Sequence, residues 1–278
     1  MRHRWDTGSR RRFLDGPVNA STGPSGAGLL DGRVALVTGG GAGIGLGLAT
    51  AMARHGASVV LASRRSETGE AAAVGLRAEG LQASWVRCDV TVPAEISAAV
   101  LSTAENLGRL DCLIHNALDG AAGGPLEEAT DEGWATLAAT SVRASYDCAR
   151  IAHPHLKATG GSLVLLTSAA GMEGSEARPL YAMAKAAQRG FAKGLAAEWG
   201  PDGIRVNCIA PVAMTPALAG AIRHDPSLGE RLVDRTPLGR IGDPVDDVGP
   251  VAVFLAGDLS RHVTGQTVVV DGGGFRGL

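Results

Sequence analysis

Residues 34–45 read Val34-Ala35-Leu36-Val37-Thr38-Gly39-Gly40-Gly41-Ala42-Gly43-Ile44-Gly45, an apolar run that leads directly into clustered glycines. The run predicts a buried β-strand, and the glycines predict a tight turn that opens a helix. Such a turn lets backbone N–H groups approach a pyrophosphate at the positive end of the helix. The alternative is a strand-to-helix turn without a ligand. We expect a dinucleotide site at Gly39, Gly41, Gly43, Ile44 and Gly45.

The alternation of strand and helix continues almost to the end of the chain. Short apolar runs separated by amphipathic stretches are typical of a parallel sheet covered on both faces by helices. Strands are expected at Val34–Thr38, Ala57–Ser63, Ala83–Cys88, Leu110–His115, Ser162–Ser168, Ile204–Ile209 and Thr267–Asp271. Helices are expected at about 43–55, 66–79, 93–107, 131–158, 179–199, 227–234 and 243–256. The pattern predicts a single-domain α/β fold, a Rossmann-like doubly wound seven-stranded parallel sheet.

Two segments differ from this pattern. Residues 1–29 mix arginines with Gly, Ser and Pro and lack apolar periodicity, which predicts a disordered extension. A partner-binding arm and a mistaken start site are the alternatives. The dinucleotide-binding domain is expected over 30–278. Residues 212–238 are rich in Pro and polar side chains, and we interpret them as a mobile substrate lid.

Bulk properties restrict the kinds of partner. The chain has 278 residues, of which 45% are hydrophobic, and this is enough for a sizeable core. Its net charge is −2, and basic residues are concentrated in the first 30 positions, so the remaining chain is acidic and nucleic acid is not expected as a partner. No stretch approaches the roughly 18–20 apolar residues that span a bilayer. We therefore expect no membrane segment. We also expect no metal site, because the histidines lack the spacing of metal ligands.

The cysteines bear on the compartment. Cys88, Cys112, Cys148 and Cys208 are dispersed without a Cys-x-x-Cys spacing. Most of them lie in apolar runs that read as buried strands. This distribution predicts reduced thiols in a cytoplasmic protein.

The end of the second predicted strand bears on cofactor choice. An NAD site normally has a carboxylate there for the ribose hydroxyls, but this chain reads Ser63-Arg64-Arg65. Guanidinium groups match a 2′-phosphate, so NADP(H) is expected in preference to NAD(H), with Arg64 as the main contact and Ser63 as a hydrogen-bond donor. Two solvent-facing arginines at a helix start are the alternative. Asp89, followed by Val90, is placed either to accept from the adenine amino group or to form a plain turn.

A second motif supplies a proton donor. Tyr181-Ala182-Met183-Ala184-Lys185 lies 13 residues after Ser168. Residues four apart on a helix share a face, so the Lys185 ammonium is expected beside the Tyr181 hydroxyl. A tyrosine assisted in this way can exchange a proton with an alcohol or a carbonyl. Taken singly, Ser168 could be a strand-end cap, Tyr181 a packed aromatic and Lys185 a solvated charge.

Over about 30–274 the chain resembles the short-chain dehydrogenase/reductase family. The matching motifs are Thr38–Gly45, Asp89, Asn116-Ala117, Ser168 with Tyr181 and Lys185, Arg205-Val206-Asn207, Pro237–Arg240, Thr264–Gln266 and Asp271–Gly273. The resemblance implies that Ser168 orients the substrate oxygen, Tyr181 exchanges the proton and Lys185 binds the nicotinamide ribose. Further cofactor contacts are expected at Asn116, Ala117, Pro211, Val212 and Thr215. It also implies a homo-oligomer, a tetramer or a dimer, formed through the helices near 131–158 and 179–199 and the last strand.

Three positions depart from the family pattern. Ser141 stands where the family usually has an Asn that holds a water for a proton relay to the lysine, and a hydroxyl has a shorter reach than an amide. Residues 115–118 read His115-Asn116-Ala117-Leu118 instead of Asn-Asn-Ala-Gly, and Pro211-Val212 replaces Pro-Gly. Neutral drift is one interpretation; the other is that Leu118 and Val212 narrow and dry the pocket around the nicotinamide. The expected substrate pocket comprises Leu118, Ser168, Met172, Glu173, Met214 and Leu218.

These observations lead to one main expectation about function. The protein should be an NADP(H)-dependent oxidoreductase that moves hydride between nicotinamide and the carbonyl or secondary alcohol of a small, apolar or cyclic molecule. Tyr181 is expected to be the general acid/base, in a site completed by Ser168, Lys185 and Ser141. Reduction of an imine or an activated C=C bond on the same fold is one alternative. A dinucleotide-binding protein with little catalysis is the other.

Overall fold

The computed structural model describes residues 28–119 and 124–275. They form a seven-stranded parallel sheet with the order β3-β2-β1-β4-β5-β6-β7. The strands are β1 Val34–Thr38, β2 Ser58–Ser63, β3 Ala83–Arg87, β4 Cys112–His115, β5 Ser162–Leu166, β6 Arg205–Pro211 and β7 Thr267–Val270. β1 pairs with both β2 and β4, so the order of connection reverses between β1 and β4. The predicted doubly wound fold is confirmed, and ligands of such sheets bind outside the strand ends at this reversal.

Helices cover both faces of the sheet. They are α1 Gly43–Arg54, α2 Ser66–Ala78, α3 Pro93–Leu107, α4 Asp131–Ala138, α5 Ala144–Thr159, α6 Ala170–Glu173, α7 Pro179–Trp199, α8 Pro216–His224, α9 Pro226–Arg235 and α10 Gly249–Ala256. Prolines at the first turn start α3, α7, α8 and α9 without the loss of a helical hydrogen bond. α3 and α5 end at Gly108 (φ 76°) and Gly160 (φ 58°), left-handed positions that favour glycine.

The sheet separates two apolar layers. Successive side chains of a strand point to opposite faces, so Ala35 and Val37 of β1 pack with Leu48 and Met52 of α1, whereas Leu36 packs on the other face. The first layer also contains α10. The second layer contains residues of α3, α5 and α7. β1 is therefore buried on both faces, which fixes the position of its carboxyl end.

Besides α6, where no helix was expected, two helical regions differ from the sequence prediction. The single helix expected at 131–158 is divided into α4 and α5 by a π turn at Ala139–Arg143. The second difference lies within 212–238, where a helix was expected only at 227–234. α8 precedes it there, and its N-cap is Thr215, whose hydroxyl accepts from the N–H of Leu218. Neither α8 nor α9 contains a buried residue, so both lie on the surface of the domain.

Several expectations concern the ends and the surface. Residues 1–27 of the predicted extension lie outside the described residues, whereas Leu30 is fully buried in the first apolar layer. Across 28–119 and 124–275 no helix is long and apolar enough to cross a membrane. In the same ranges no group of three His, Cys, Asp or Glu residues is arranged to hold a metal ion. The four cysteines are buried and unpaired.

Candidate active site

The glycine turn between β1 and α1 depends on close backbone contacts. Gly39 and Gly43 have φ values of 66° and 56°, in the left-handed region where other residues are strained. A Cβ on Gly45 would lie 2.4 Å from the carbonyl oxygen of Gly39 and 2.5 Å from Nδ2 of Asn116. The N-cap residue of α1, Ala42, makes no side-chain cap hydrogen bond in the described structure. The first N–H groups of α1 are therefore available to an anionic ligand.

The Thr38 hydroxyl joins the end of β1 to the end of β4. It accepts from the backbone N–H groups of Asn116 and Ala117, each at 3.1 Å, and lies 3.0 Å from Nδ1 of His115. Because both lone pairs are used, the hydroxyl proton goes to Nδ1, and neutral His115 carries its own proton on Nε2. Burial, together with the positive charge of Lys185, lowers the pKa of His115 to about 4. His115 is thus a neutral structural group at pH 7.

Replacing Thr38 by Val keeps the shape of the side chain and removes the acceptor. We expect the free energy of unfolding to fall by at least about 2 kcal/mol, because two backbone N–H groups lose their partner. Urea unfolding measures this change. Thr50→Val is the matched control, since the Thr50 hydroxyl only donates to the carbonyl of Leu46, within the helix. Equal losses for the two variants would show that Thr38 does not hold the strand ends together.

A cleft opens beside the glycine turn at the carboxyl ends of β1 to β4. It is lined by Gly39, Gly41, Ala42, Ser63, Arg64, Arg65, Thr68, Cys88, Asp89, Val90, Ala117, Leu118, Asp119 and Thr140. The cleft brings together nearly all the residues that the sequence assigned to the adenosine half of a dinucleotide. Leu118, expected in the substrate pocket, lies here instead. Ala42, Thr68, Cys88, Asp119 and Thr140 were not singled out from the sequence.

Two polar groups are arranged at the end of β2. The Ser63 hydroxyl accepts from Nε1 of Trp85 at 2.9 Å and donates to the carbonyl of Arg65 at 3.4 Å, a long hydrogen bond that a ligand acceptor can replace. The Arg64 guanidinium forms an ion pair with Asp119 at 3.1 Å. The two side chains are 56% and 34% exposed, and exposed pairs of this kind contribute at most about 1 kcal/mol. A phosphate can therefore compete with Asp119 for Arg64.

Asp89 lies on the opposite wall of the cleft. Its Oδ1 accepts from the N–H and the hydroxyl of Thr91, at 2.9 and 2.7 Å. The Glu95 carboxylate holds the backbone N–H of Asp89 at 2.7 Å. These bonds form the turn that the sequence offered as one alternative. They leave Oδ2 of Asp89 without a protein donor in the described structure, so a contact to a ligand is also possible there.

Tyr181 and Lys185 lie on α7, and Nζ of Lys185 reaches the carbonyl of Leu166 at the end of β5, two residues before Ser168. The Ser168 hydroxyl oxygen accepts from the N–H of Ala170 at 3.2 Å, which leaves its proton free to donate. Nζ of Lys185 is 5.7 Å from the centre of the Tyr181 ring. The guanidinium carbon of Arg178 is closer, 4.2 Å from the same ring centre, a distance typical of cation–π contacts. Arg178 was not expected from the sequence, although it lies one helical turn before Tyr181.

Lys185 is buried, with only 4% of its surface exposed. Its Nζ donates to the carbonyl of Leu166 at 2.6 Å and to Oε1 of Gln188 at 2.9 Å. Burial lowers the pKa of Lys185 to about 7; the thiol of Cys208 opposes this effect and the charge of Arg178 adds to it. The ammonium therefore loses its proton far more readily than an exposed lysine.

Ser141, the expected member of the proton relay, is turned away from Lys185. Its hydroxyl donates to the carbonyl of Leu137, in the preceding turn of the helix. Its own carbonyl accepts from the Ser145 hydroxyl at 2.7 Å. Within the described ranges the Ser141 side chain makes no hydrogen bond to Lys185. The side chain that reaches Lys185 is Gln188, which the sequence analysis missed although residues three apart share a helix face.

A second cavity opens beside Ser168. It is lined by Ser168, Ala169, Ala170, Glu173, Gly174, Ser175, Glu176, Val212, Leu232, Arg235, Thr236, Asp271 and Gly274. Met172, Met214 and Leu218, which were expected here, do not line it. Glu173 forms an ion pair with Arg235 across the cavity, and Arg235 also donates to the carbonyl of Gly274 at 3.2 Å. The lining carries three carboxylates and one guanidinium, more charge than the single acid expected from the sequence.

The segment after β6 lies between this cavity and the glycine turn. Pro211 ends β6, and Val212 donates its N–H to the carbonyl of Val270 at 2.9 Å. A Cβ on Gly43 would lie 3.6 Å from the side chain of Thr215. Thr215 is therefore adjacent to the N-terminus of α1, as a residue in contact with a bound dinucleotide would be.

Comparisons with known proteins show which family has this sequence and fold. A family model described as enoyl-(acyl carrier protein) reductase matches residues 39–274. A 12alpha-hydroxysteroid dehydrogenase from Clostridium is 36% identical over 253 residues, which cover 88% of this chain and 98% of the relative. The structure is similar to a gluconate 5-dehydrogenase from Burkholderia cenocepacia in complex with NADP and tartrate, with a TM-score of 0.82, 35% identity, and coverage of 88% and 95% of the two chains. It is also similar to a short-chain type dehydrogenase/reductase from Mycobacterium ulcerans, with a TM-score of 0.83, 31% identity, and coverage of 88% and 90%.

Proposed function

The chain belongs to the short-chain dehydrogenase/reductase family of oxidoreductases, and we propose that it is an NADP(H)-dependent member that acts on the carbonyl or secondary alcohol of a small molecule. The observation that carries this proposal is the position of Ser168, Tyr181 and Lys185. Ser168 lines the second cavity, Nζ of Lys185 donates to the carbonyl of Leu166, two residues before Ser168, and the same Nζ lies 5.7 Å from the centre of the Tyr181 ring. In the proposed reaction, a substrate in that cavity takes a hydrogen bond from Ser168 and exchanges its proton with Tyr181.

The described residues fit a nicotinamide dinucleotide. Gly45 lets the backbone of the glycine turn lie close to Gly39 and Asn116, and the first N–H groups of α1 carry no side-chain cap, so they would bind the pyrophosphate. Ser63, Arg64 and Asp89 would hold the adenosine half of the dinucleotide. Thr215 and Lys185 would hold its nicotinamide half. When bound, the dinucleotide supplies or accepts the hydride.

The protein's own side chains handle the proton and the substrate oxygen. Ser168 donates a hydrogen bond to that oxygen and fixes its orientation relative to Tyr181. The Tyr181 hydroxyl gives a proton to the oxygen in reduction and takes it back in oxidation. The Lys185 ammonium, held 5.7 Å from the Tyr181 ring centre, stabilises the negative charge that this exchange places on the phenol.

The choice of NADP(H) rests on Arg64. Its guanidinium lies in the cleft next to the hydroxyl of Ser63, and no carboxylate occupies the end of β2. The relative from Burkholderia cenocepacia was crystallised with NADP, which agrees with the preference proposed here. Asp119 is the present counterion of Arg64 and would have to yield to a 2′-phosphate.

Replacing Arg64 by Ala is expected to raise the Kd for NADPH about 10- to 100-fold and to change the Kd for NADH much less, because only the 2′-phosphate loses a charged hydrogen bond. Asp119→Asn should have the opposite effect and tighten NADPH binding, since it removes the competing carboxylate. Titration of both dinucleotides by calorimetry measures these changes. Arg54→Ala, which breaks the exposed pair with Glu79, is the matched control. Equal weakening of NADPH and NADH in Arg64→Ala would contradict the assignment.

The side chains that line the cavity beside Ser168 indicate what kind of substrate it would accept. The apolar or cyclic character of the substrate was expected from Leu118 and Val212, but of these two only Val212 lines the cavity beside Ser168. The Glu173–Arg235 pair in the same lining favours a substrate that carries polar groups as well. The description of the matching family model names reduction of a C=C bond, and this keeps enones beside ketones and imines in the panel to be tested.

We also propose a homo-oligomer, a tetramer or a dimer. Ala186, Ala187 and Ala197 are exposed on α7, where small side chains would permit close packing of a second copy. Ala192 and Ala196 of the same helix are buried in the core and do not contribute to such a face. Light scattering tests the assembly. A cytoplasmic location stays a prediction from the sequence.

A further inference from the structure

Gln188 is buried at the centre of a hydrogen-bond network, with 2% of its surface exposed. An ammonium can only donate, so the amide atom that Lys185 meets at 2.9 Å is the oxygen. This assignment directs the amide nitrogen toward Oγ of Ser145 at 2.8 Å and the carbonyl of Ser141 at 3.5 Å. Both of these atoms accept, because Ser145 gives its own proton to the Ser141 carbonyl. The orientation of Gln188 is therefore fixed on both sides.

The other end of this network is the π turn at Ala139–Arg143. A π turn widens the helix and interrupts the regular i→i−4 pattern. The carbonyl of Ser141 accepts from a backbone N–H at the end of the turn and also from the side chains of Ser145 and Gln188. The break between α4 and α5 thus places a fixed acceptor opposite α7. This acceptor anchors Gln188.

We infer that Gln188 is a positioning residue for Lys185, which it holds by a direct hydrogen bond beneath Tyr181. The hydrogen bond between Gln188 and Lys185 does not depend on the proposed function. Only its consequence for catalysis rests on that function. Leu166 and Gln188 take two of the three N–H donors of the ammonium, so one donor remains for a ligand. A neutral amide accepts a hydrogen bond but does not pass a proton on. Gln188 therefore anchors Lys185 without linking it to the π turn as a proton relay.

The electrostatic surroundings make Gln188 a major partner of the Lys185 charge. The titratable and charged groups around Lys185 are His115 on β4, Cys208 on β6, and Arg178 and Tyr181 at the start of α7. Arg178 repels the ammonium, and His115 is neutral. In the part of the chain that the structure describes, no carboxylate pairs with Lys185. The oxygens of Leu166 and Gln188 are consequently the groups that stabilise its protonated form.

The chain contains three lysines, Lys157, Lys185 and Lys193, so each can be followed by NMR after labelling with 13C-lysine. Gln188→Met keeps the length of the side chain and removes the acceptor, and we expect it to lower the pKa of Lys185 by about one pH unit. Gln188→Glu places a carboxylate at the same position and should raise that pKa by a similar amount. Opposite changes identify a partner of the ammonium, because lost packing alone would not reverse sign.

Two further variants keep the experiment decisive. Ser145→Ala removes the anchor of the Gln188 amide and should lower the pKa of Lys185 by less than Gln188→Met does. Gln82→Met, the same substitution at an exposed glutamine, should leave the titration of all three lysines unchanged. An unchanged Lys185 titration in Ser145→Ala and in every Gln188 variant that folds would overturn the inference. The titration needs no substrate, so a failure of the Tyr181 assignment, read from turnover, is a separate result.

If the proposed function is correct, the pH profile of turnover should change with the lysine titration. The limb that reports Lys185 should move to lower pH in Gln188→Met and to higher pH in Gln188→Glu. A Gln188→Met variant that lowers kcat by the same factor at every pH would indicate a structural role instead.

Discussion

Replacing Tyr181 by Phe is expected to lower turnover by a factor of about 10²–10⁴, the usual contribution of a positioned acid or base. The substitution removes only the hydroxyl. The ring stays in place against Arg178, which lies 4.2 Å from its centre, and against Lys185. The glycine turn and the cleft beside it are untouched, so the Kd for the dinucleotide should remain within a few-fold of the wild type.

The chain supplies a matched control for this experiment. It contains two tyrosines, and the other one, Tyr146, is 47% exposed on α5. Tyr146→Phe should leave both turnover and dinucleotide binding unchanged. Near-normal turnover of Tyr181→Phe would remove Tyr181 from the mechanism and favour an imine or a C=C bond as the one reduced. Loss of dinucleotide binding in Tyr181→Phe would mean that the variant reports on structure and not on proton transfer.

Replacing Gly45 by Ala is expected to weaken dinucleotide binding at least about tenfold and to lower the free energy of unfolding by about 1–3 kcal/mol. The added Cβ would lie 2.4 Å from the Gly39 carbonyl and 2.5 Å from the amide of Asn116, distances at which the backbone must shift. Either shift moves the turn that faces the pyrophosphate. Binding of NADPH and urea unfolding measure the two effects separately.

Gly75→Ala is the control for Gly45→Ala. Gly75 lies on the exposed side of α2, and a Cβ there would meet no atom within 4 Å. Because alanine favours a helix over glycine, this variant should be more stable than the wild type by about 0.5–1 kcal/mol and should bind NADPH normally. If Gly45→Ala behaves like Gly75→Ala, the turn has room that the structure does not show.

The sequence predicted the sheet well because a parallel strand covered on both faces must be apolar along its whole length. β1 is an example, since all five of its residues are buried. The glycine motif was equally informative. A close backbone contact such as the one at Gly45 requires a glycine, and the glycine can be recognised in the sequence. The sequence also predicted that Lys185 lies near Tyr181, since residues four apart on a helix share a face, and Nζ of Lys185 is 5.7 Å from the Tyr181 ring centre.

Most of the features that the sequence did not predict depend on contacts between segments that are far apart in the chain. The π turn before α5 has no signal of its own in the sequence. The pairing of Arg64 with Asp119 joins residues 55 apart in the chain. Ser141 was considered because of its position in the family pattern, but its hydroxyl bonds within its own helix, and Gln188 makes the contact to Lys185. α8 was missed although Thr215 and Pro216 provide an N-cap and a first-turn proline.

The residues that form and support the cleft are of two kinds, which differ in how readily they can be substituted. Thr38 and Gly45 are buried and Asn116 is partly buried, and a substitution at any of the three disturbs several contacts. Arg64 and Asp119 are exposed, and substitutions at such positions usually change stability by less than about 0.5 kcal/mol. On the proposed assignment of Arg64 to a 2′-phosphate, cofactor preference could therefore be altered at these two positions with little change in stability, which would allow the engineering of a variant that uses NADH.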